Sequence, residues 1–524
     1  MNKHVVIFIL IIVLGIAGML GYYFINPKMI EKTNTSITDA KDIKGQIRIG
    51  VDNWIGYYVL CSKEMQRRVR NLNYRLKCID DKADYKGRMQ ALSRGELDFA
   101  VATVDSFILN GASENFPGVI VMVIDESKGG DALVARKTRF KNIEDLKSQR
   151  GFKVAFTPAS PSEHLLKSVA VHFDVAQFSD KNKEWRLETN GSAEALDLLM
   201  GGKADVAVLW EPDVSRALAN KDIVKILGTE NTQKLIVDVL LVGRDFLISH
   251  PAMIHEFLGA YFRVLKTYRD DPERFANEVR QETGLSQDQV VAMLKGVKLM
   301  SLHENASVWF GIKNQDGLGY DGLVDAMEAA VQILQKAGDF ADNPLPDADP
   351  YRLQNRSFIQ KLYEHGLPGE TGFQGTQETE TATDESLERK FKPLTLSEWE
   401  ALHEIGTLKI RPVTFQSGTE LLDMNGKIEL DMAAANLKHY PHFRVVIKGH
   451  TGLKGDTEAN MSLSLDRAEA VKRYLMITYN IDENRFRALG RGALEPLDRL
   501  PGESDRAYNY RLPRVALHLV SEVY

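Results

Sequence analysis

The sequence GQIRIGVDNWIGYY, residues 45–58, joins a predicted β-strand to a turn of polar and aromatic residues. The order of apolar strand, turn and apolar-periodic helix then recurs to about residue 340. Such alternation is typical of a largely parallel sheet whose faces are covered by helices. The predicted strands suffice for two sheets, so we expect a two-lobed α/β domain over residues 45–343.

Length and composition restrict the classes of protein. A chain of 524 residues is too long for a single hydrophobic core, which predicts two or three domains. The charged fraction of 26% and hydrophobic fraction of 44% are ordinary for a folded, mostly soluble protein. The net charge is −6, and no basic stripe with interleaved aromatic residues is present. These features argue against a nucleic-acid partner.

The N-terminal segment predicts a membrane anchor. Residues 5–25 carry no charge and end in the aromatic residues Tyr22, Tyr23 and Phe24. Such a stretch of roughly 21 residues can cross about 30 Å of hydrocarbon as a helix. A cleaved signal peptide is the alternative, but no clear A-x-A site follows. We therefore predict a transmembrane signal anchor at 1–27, a stalk at 28–44, and a single-pass inner-membrane protein with most of its chain in the periplasm.

Two cysteines, Cys61 and Cys78, lie in the predicted exported part. In an oxidising compartment they could form a disulfide. They could equally be two small buried side chains. The sequence leaves both possibilities open.

The middle of the chain predicts a linker. Residues 366–390 contain almost no large apolar side chain and many Thr, Glu and Gly residues. Such a segment buries too little surface to offset the entropy of ordering. We place a mostly flexible linker at 344–393, in which 351–365 could form a short helix, and a compact α/β domain at 394–524.

Polar and aromatic residues recur where predicted strands of the first domain end. Crevices form at the carboxyl ends of strands in open α/β sheets, so ligands collect there. Ser160 or Ser162 could cap a helix whose free N–H groups favour an anion. Asp105, Glu211 and Asp238 could receive an ammonium group, or could pair with internal Arg or Lys. The predicted ligand-binding residues are Asn53, Trp54, Tyr57, Thr103, Asp105, Ser160, Ser162, Trp210 and Glu211.

These segments resemble the periplasmic substrate-binding proteins of the nitrate/sulfonate/taurine (type II) group. The resemblance rests on 49–57, 95–103, 143–151 with 153–157, 201–212 and 249–251. It implies two lobes that close on a small molecule, with 131–136 and 237–242 as hinge candidates. The resemblance is much less specific for the ligand. The Ser-rich helix start suits phosphate, sulfonate or carboxylate, and the acids named above suit a zwitterion. We therefore expect a small anionic or zwitterionic ligand such as phosphate, phosphonate, sulfonate or taurine.

An enzymatic function is the rival interpretation of this fold. Related enzymes that make a thiamine pyrimidine need a metal-binding cluster of His and Cys. Here both cysteines lie near the N-terminus with no clustered histidine, and His164 stands alone. We therefore predict no catalytic residue, metal site or cofactor.

The C-terminal region contains N460-M-S-L-S-L-D-R-A-E-A-V471, preceded by G449-H-T451. This pattern resembles the OmpA-like peptidoglycan-binding domain. That family grips the diaminopimelate of the peptide stem: an Asp directly after G-H-T meets its ammonium group, and the Arg of the motif, here Arg467, meets its carboxylate. The predicted peptidoglycan-binding residues are Thr451, Asp456, Asn460, Leu463, Arg467 and Arg514.

Gly452 stands where the family has its aspartate. Asp456 or Glu458 could replace that carboxylate, or weak binding could persist through Arg467 and the backbone. Alternatively, the domain has lost wall binding and serves protein contacts. The sequence does not decide among these.

Together the parts predict a membrane-anchored, ABC-transporter-type solute-binding protein tethered to the cell wall. Its partners would be a small ligand, peptidoglycan, the inner membrane, and a transporter permease or signalling protein. The alternative is an envelope scaffold or sensor that uses the binding-protein fold for protein contacts. A proton-driven motor subunit is disfavoured, since residues 5–25 contain no acid.

Overall fold

The computed structural model describes residues 43–179, 183–312, 321–367, 389–416, 418–500 and 502–522. The predicted anchor, nearly all of the stalk and the central part of the linker lie outside these ranges. No helix within the described ranges is long and apolar enough to span a membrane.

Alternating strands and helices build the first domain, as the sequence predicts. Its strands are β1 (Gly45–Val51), β2 (Tyr74–Asp80), β3 (Phe99–Thr103), β4 (Gly118–Ser127), β5 (Asp131–Arg136), β6 (Val154–Phe156), β7 (Arg186–Glu188), β8 (Val206–Trp210), β9 (Ile223–Gly228), β10 (Val237–Gly243) and β11 (Val297–Leu299). Its helices are α1 (Tyr58–Cys61), α2 (Lys63–Asn71), α3 (Tyr85–Ser93), α4 (Val104–Gly111), α5 (Ile143–Ser148), α6 (Pro161–Phe173), α7 (Ser192–Met200), α8 (Asp213–Leu218), α9 (Arg244–Ser249), α10 (Pro251–Asp270), α11 (Pro272–Thr283), α12 (Gln287–Lys295), α13 (Leu302–Glu304), a π-helix (Asn305–Trp309) and α14 (Gly322–Ala337).

Two sheets divide this domain into two lobes. The first lobe has the strand order β11-β4-β10-β3-β1-β2, and the second has β7-β6-β8-β5-β9. Strands β3 and β4 are buried along their whole length, which explains their continuous apolar sequences. Helices α10 to α14 return to the first lobe, where Phe257 and Tyr261 are fully buried in its core.

The sheets are mixed, which corrects the expectation of a largely parallel sheet. Strand β10 runs antiparallel to β3 and β4, and β5 runs antiparallel to β8 and β9. The reason is topological. The parallel strands end at the cleft between the lobes, whereas β5 and β10 start there, because each enters from the other lobe.

The chain crosses between the lobes twice, from β4 to β5 and from β9 to β10. Hydrogen bonds join these two crossings. The Thr229 hydroxyl oxygen accepts from the backbone N–H groups of Gly129 (2.9 Å) and Asp131 (3.2 Å), and it lies 2.7 Å from the Ser127 hydroxyl. The predicted hinge strands, 131–136 and 237–242, directly follow these crossings.

A disulfide joins Cys61, at the end of α1, to Cys78 in β2. Of the two possibilities that the sequence left open, the structure therefore has the disulfide.

Residues 344–367 pack onto the first lobe, although the sequence assigned them to the linker. They form short 3₁₀ turns at Pro346–Ala348 and Pro350–Leu353, followed by α15 (Ser357–His365). Their apolar residues Leu353, Phe358, Ile359 and Leu362 belong to the core of that lobe. The turn-rich sequence of 343–350 indicates a domain boundary there. Burial of these apolar side chains instead keeps residues 344–367 packed on the first lobe. The rest of the predicted linker lies mostly outside the described residues.

The C-terminal domain is a second, smaller α/β unit. Its elements are α16 (Leu396–Glu400), β12 (His403–Thr407), α17 (Met424–Leu437), β13 (Arg444–His450), α18 (Thr457–Tyr479), β14 (Phe486–Gly490), α19 (Asp505–Arg511) and β15 (Arg514–Ser521). The strand order is β12-β15-β13-β14. Gly449 lets α18 lie directly on the sheet, since a Cβ there would be 1.9 Å from the Ser464 carbonyl oxygen.

This domain is docked on the second lobe. The backbone N–H of Lys409 donates to the His172 carbonyl (2.6 Å), and that of Gln233 donates to the His439 carbonyl (2.9 Å). Nδ1 of His172 lies 2.8 Å from the Tyr440 hydroxyl, and the rings of Phe173 and Tyr440 pack edge to face. The C-terminal domain and the second lobe therefore share one continuous apolar core.

Candidate functional site

The lobes close on a small cavity at the two crossings. Its volume is about 10 Å³, close to the space of one water molecule. Its lining comes from both lobes: Trp54, Tyr57, Tyr85, Thr103, Asp131, Pro161, Trp210, Ile236 and Asp238. The carboxyl ends of β3 and β8 reach this point together with the first residues of β5 and β10.

Direct contacts hold the lobes together beside the cavity. Nε1 of Trp210, from the second lobe, donates to Oδ1 of Asn53 in the first lobe (3.1 Å). The amide of Asn110 donates to the Ala159 carbonyl across the cleft (2.9 Å). Gly130 lies so close to Trp54 that a Cβ there would be 2.3 Å from Cη2 of the indole. The lobes must therefore part before a solute can enter.

Carboxylates dominate the chemistry of this cavity. Asp238 accepts a short hydrogen bond from the Tyr57 hydroxyl. Asp125 stands directly opposite Asp238 in the β4–β10 register and accepts from Nε1 of Trp54 at 3.2 Å. Burial, and then the neighbouring Asp125, raise the pKa of Asp238 well above its usual range. Two such close carboxyls cannot both ionise without opposite charge.

Two further carboxyls in this region have a raised pKa. Burial raises the pKa of Asp131 to about 7, with a contribution from the nearby acids. Burial also raises the pKa of Asp105 to about 7, and its Oδ1 has no hydrogen-bond partner among the described residues. Asp131 lies at the beginning of the second lobe, whereas Asp105 lies in α4 of the first.

The buried arginine of this region is already neutralised. Arg88 donates to Asp52 (2.9 Å), to both oxygens of Asp81 (2.6 Å each) and to the Val101 carbonyl (2.9 Å). Its side chain is fully buried. It therefore provides no free positive charge to the cavity.

The predicted cleft residues occupy different positions relative to the cavity. Trp54, Tyr57, Thr103 and Trp210 line it. Asn53 contacts the Trp210 indole, and Asp105 is buried nearby. Ser160 caps α6 by accepting from the N–H of Ser162 (3.1 Å). Glu211 instead accepts from Ser215 on α8, at 3.0 Å from the backbone N–H and 2.7 Å from the hydroxyl. The part of each in ligand binding stays a prediction.

Sequence reasoning missed several residues of the site. Asp131 was considered only as part of a hinge, and Tyr85, Asp125 and Ile236 were not singled out. The predicted site residues lie mostly at the carboxyl ends of strands, whereas Asp131 begins a strand that enters from the other lobe. Asp238 lies near the start of such a strand as well, and the sequence offered it only as a contact for an ammonium group or an internal cation. The sequence does contain a pattern that could have indicated these acids. Asp125 and Asp131 stand beside apolar runs, in GVIVMVIDES and DALVAR, that are typical of buried strands.

The second candidate site is the loop between β13 and α18. Arg467 is half-buried, donates to the Thr419 carbonyl (3.2 Å) and lies 5.0 Å from the centre of the Phe415 ring. Asp456 caps α18 by accepting from the Ala459 N–H (2.9 Å), and Asn460 donates to the Lys454 carbonyl (3.2 Å).

The other predicted wall-binding residues lie around this loop. Thr451 is buried and is held by a backbone bond to the Gly492 carbonyl (2.8 Å). Arg514 pairs with His450 across the sheet and donates to the Glu495 carbonyl (3.0 Å). Leu463 is half-buried on α18. A Cβ on Gly452 would meet no atom within 4 Å, so that position has room for a side chain.

Comparison with known proteins assigns the C-terminal domain. Residues 414–510 match the OmpA family. The probable lipoprotein YiaD of Escherichia coli is 35% identical over 100 residues, which cover 19% of this chain and 45% of that protein. Outer membrane protein Omp38 of Acinetobacter baumannii is 35% identical over 86 residues, covering 16% and 24%. The chain thus spans less than half the length of these curated relatives.

Solved structures resemble the first domain. The periplasmic aliphatic sulphonate binding protein SsuA of Escherichia coli has a TM-score of 0.45 and 18% identity, over 61% of this chain and 99% of that one. The desulfurization enzyme DSZB has a TM-score of 0.42 and 10% identity, over 62% of this chain and 100% of that one. The two-lobed assignment itself follows from the strand orders and the two crossings. The chain combines a two-lobed, mixed α/β domain with a C-terminal domain whose residues 414–510 match the OmpA family.

Proposed function

We propose that this protein is a cell-envelope solute receptor of the ABC-transporter type. The observation that supports this proposal is the cavity at the two crossings, which takes polar and aromatic side chains from both lobes. A ligand held there contacts both lobes, so binding energy can favour the closed arrangement. No group of His, Cys, Asp or Glu able to hold a metal is present among the described residues.

The sequence allowed an anionic or a zwitterionic ligand, and the cavity favours the zwitterion. Asp131 and Asp238 line it, and the negative charge that they carry once deprotonated would repel a simple anion. Pro161, the first residue of α6, lines it as well. The hydroxyls of Thr157 and Ser162 beside this helix start are buried and have no partner among the described residues. They and the helix N-terminus suit the negative end of a zwitterion.

A thermal-shift panel on the intact chain tests the receptor function. The panel comprises nitrate, phosphate, phosphonates, sulfonates, taurine and small amino acids. A ligand at 100 times its Kd adds about 2.7 kcal/mol of stability. We expect a shift that Trp210→Ala removes and that Trp399→Ala, in the C-terminal domain, leaves unchanged. A flat panel with well-folded protein would favour the envelope scaffold instead.

We further propose that the OmpA-family domain binds peptidoglycan, with Arg467 meeting a carboxylate of the peptide stem. Its guanidinium is held in place by Thr419 and Phe415. Co-sedimentation of the intact chain with purified sacculi tests this. Arg467→Ala should reduce the bound fraction, whereas Arg473→Ala, on the exposed side of the same helix, should not. Equal binding by both variants would argue against the proposed contact.

Export to the periplasm and anchoring in the inner membrane complete the proposal. The Cys61–Cys78 disulfide supports an oxidising compartment. Anchoring rests on residues 1–27, outside the described part. Membrane fractionation of cells that express the intact chain, compared with a chain lacking 1–27, tests it. A permease or signalling protein that reads the closed lobes is the expected partner.

A further inference from the structure

The cavity at the lobe crossings carries an excess of buried acid. Asp131 enters it from the second lobe and Asp238 from the first, with exposed fractions of 2% each. Among the described residues that line the cavity, none is basic. The positive charge of the nearby Arg88 is balanced by its ion pairs with Asp52 and Asp81.

The arrangement of these acids is costly for the protein alone. Asp125 and Asp238 are direct cross-strand partners, and like charges at such positions are destabilising. Burying carboxylates without opposite charge costs further free energy. Bound protons relieve both costs in the unliganded protein. A bound cation would relieve them in place of those protons, because it supplies the missing positive charge between the lobes.

The aromatic lining suits the same kind of ligand. Trp54, Tyr57, Tyr85 and Trp210 surround the acids. Aromatic rings attract ammonium groups through their π-electrons. Moreover, the Trp54 N–H already donates to Asp125 and the Tyr57 hydroxyl to Asp238, so neither is free to donate to an anion.

Resting on the proposed solute-binding function, we propose that the cavity selects ligands by an ammonium group, which Asp131 and Asp238 hold between the two lobes. The ligand class is a small primary or substituted amine, with or without an acidic end. A negatively charged ligand that lacks an ammonium group is excluded by the same carboxylates.

Matched probes separate this proposal from the receptor function itself. Thermal shifts of the intact chain are measured with taurine, 2-aminoethylphosphonate, β-alanine and choline. The first three are paired with analogues in which a hydroxyl replaces the ammonium group: isethionate, 2-hydroxyethylphosphonate and 3-hydroxypropionate. We expect stabilisation by at least one amine and by none of the hydroxyl analogues.

Two results would overturn the proposal. If a hydroxyl analogue or an inorganic anion stabilises the chain as strongly as any amine, the receptor function stands and ammonium selection fails. If no probe and no member of the wider solute panel stabilises the folded chain, both fail.

Neutral variants of equal size identify the residues. For the amine that binds, calorimetric titration should show a Kd weakened by about 10- to 150-fold in Asp238→Asn and in Asp131→Asn, since each loses a charged hydrogen-bond partner. Asp288→Asn, on the exposed side of the first lobe, should leave the Kd unchanged. Unchanged binding in both cavity variants would refute the assignment.

Discussion

At the scale of single residues, Gly452 bears most directly on the proposed wall binding, because it stands where the family resemblance implies an aspartate. The position has no neighbour within 4 Å of a Cβ, and its φ is not in the left-handed region. The missing carboxylate is therefore not excluded by crowding or by backbone strain. Asp456, which the sequence offered as a replacement, already caps α18.

Restoring the acid should strengthen wall binding. Gly452→Asp adds a carboxylate at the position where the family resemblance implies a contact with the ammonium group of the peptide stem. One charged hydrogen bond changes affinity by about 10- to 150-fold. Co-sedimentation with sacculi measures the gain. Gly452→Ala, which adds a Cβ without charge, is the control and should bind as the parent does. No gain in Gly452→Asp would indicate that another acid already serves or that the domain has other partners.

The buried acids predict how solute binding depends on pH. The usual pKa of Asp131 is 3.8, and burial raises it to about 7 in the folded chain. Between these values the folded state holds the extra proton, so the stability of the unliganded lobes falls as pH rises through that window. An ammonium ligand must displace the proton, so its affinity should rise with pH.

Calorimetric titration of the binding amine at pH 5.5, 6.5 and 7.5 tests this dependence. One displaced proton corresponds to about a tenfold gain in affinity per pH unit below about 7. The groups that contribute with Asp131 are Asp52, Asp105, Asp125, Glu211 and Asp238. Asp131→Asn should flatten the profile, and a pH-independent affinity in the parent chain would contradict the prediction.

At the scale of elements, the contact between α6 and the C-terminal domain is sensitive to acid. His172 and His439 stack at 5.5 Å between ring centres. Burial lowers the pKa of both, that of His439 to about 4, from a usual value of 6.5. Below about pH 6.5 the two histidines bind protons when the C-terminal domain is separated from the second lobe, but not when it is docked. Docking therefore weakens as pH falls.

Hydrogen exchange of the intact chain at pH 7.5 and pH 5 reports this weakening, after correction for intrinsic rates. Protection of the second lobe around Phe173, and of β12, should decrease at pH 5. The acid effect should shrink in a His172→Phe and His439→Phe double variant, which cannot take up these protons. The charged groups that also act on the pair are Lys234, Lys336, Lys438 and His164. Equal protection at both pH values would contradict the prediction.

At the scale of the whole molecule, the C-terminal domain is packed on the second lobe and moves with it. Its Gly406 lies against Ile143 and Phe173, which are fully buried. Any rotation of the lobes about the two crossings therefore moves the loop between β13 and α18 together with the second lobe. In this arrangement closure on a solute would reorient the first lobe relative to the cell wall.

Removing the C-terminal domain should destabilise the second lobe. A chain that ends at residue 367 exposes Ile143 and Phe173, and each such side chain contributes about 1.5–3 kcal/mol when buried. Calorimetry should show a lower Tm for the second lobe than in the intact chain. Ile143→Ser in the intact chain should shift the same transition downward, whereas Ile477→Ser, at an exposed site, should not. An unchanged Tm after truncation would mean that the docking contributes little stability.

The local patterns of the chain and its two family resemblances could be recognised without the structure. The β–α alternation predicts two lobes, because the periods of strands and helices can be recognised within each segment. The motif from Gly449 to Val471 resembles the OmpA-like family, and the family match over residues 414–510 confirms that resemblance. The sequence also placed Trp54, Tyr57, Thr103 and Trp210 near the cleft, because the ends of parallel strands meet at one edge.

Tertiary structure alone decided the rest. Asp131 lies in the site because β5 begins at the crossing between the lobes. Residues 353–362 complete the core of the first lobe. His172 stacks on His439, which lies 267 residues further along the chain. The residues that these side chains contact are distant in the chain. The local periodicity of apolar residues does not indicate which distant surface a side chain will pack against. Burial then sets the charge of Asp131 and His439, since their pKa depends on that surrounding surface rather than on residue type.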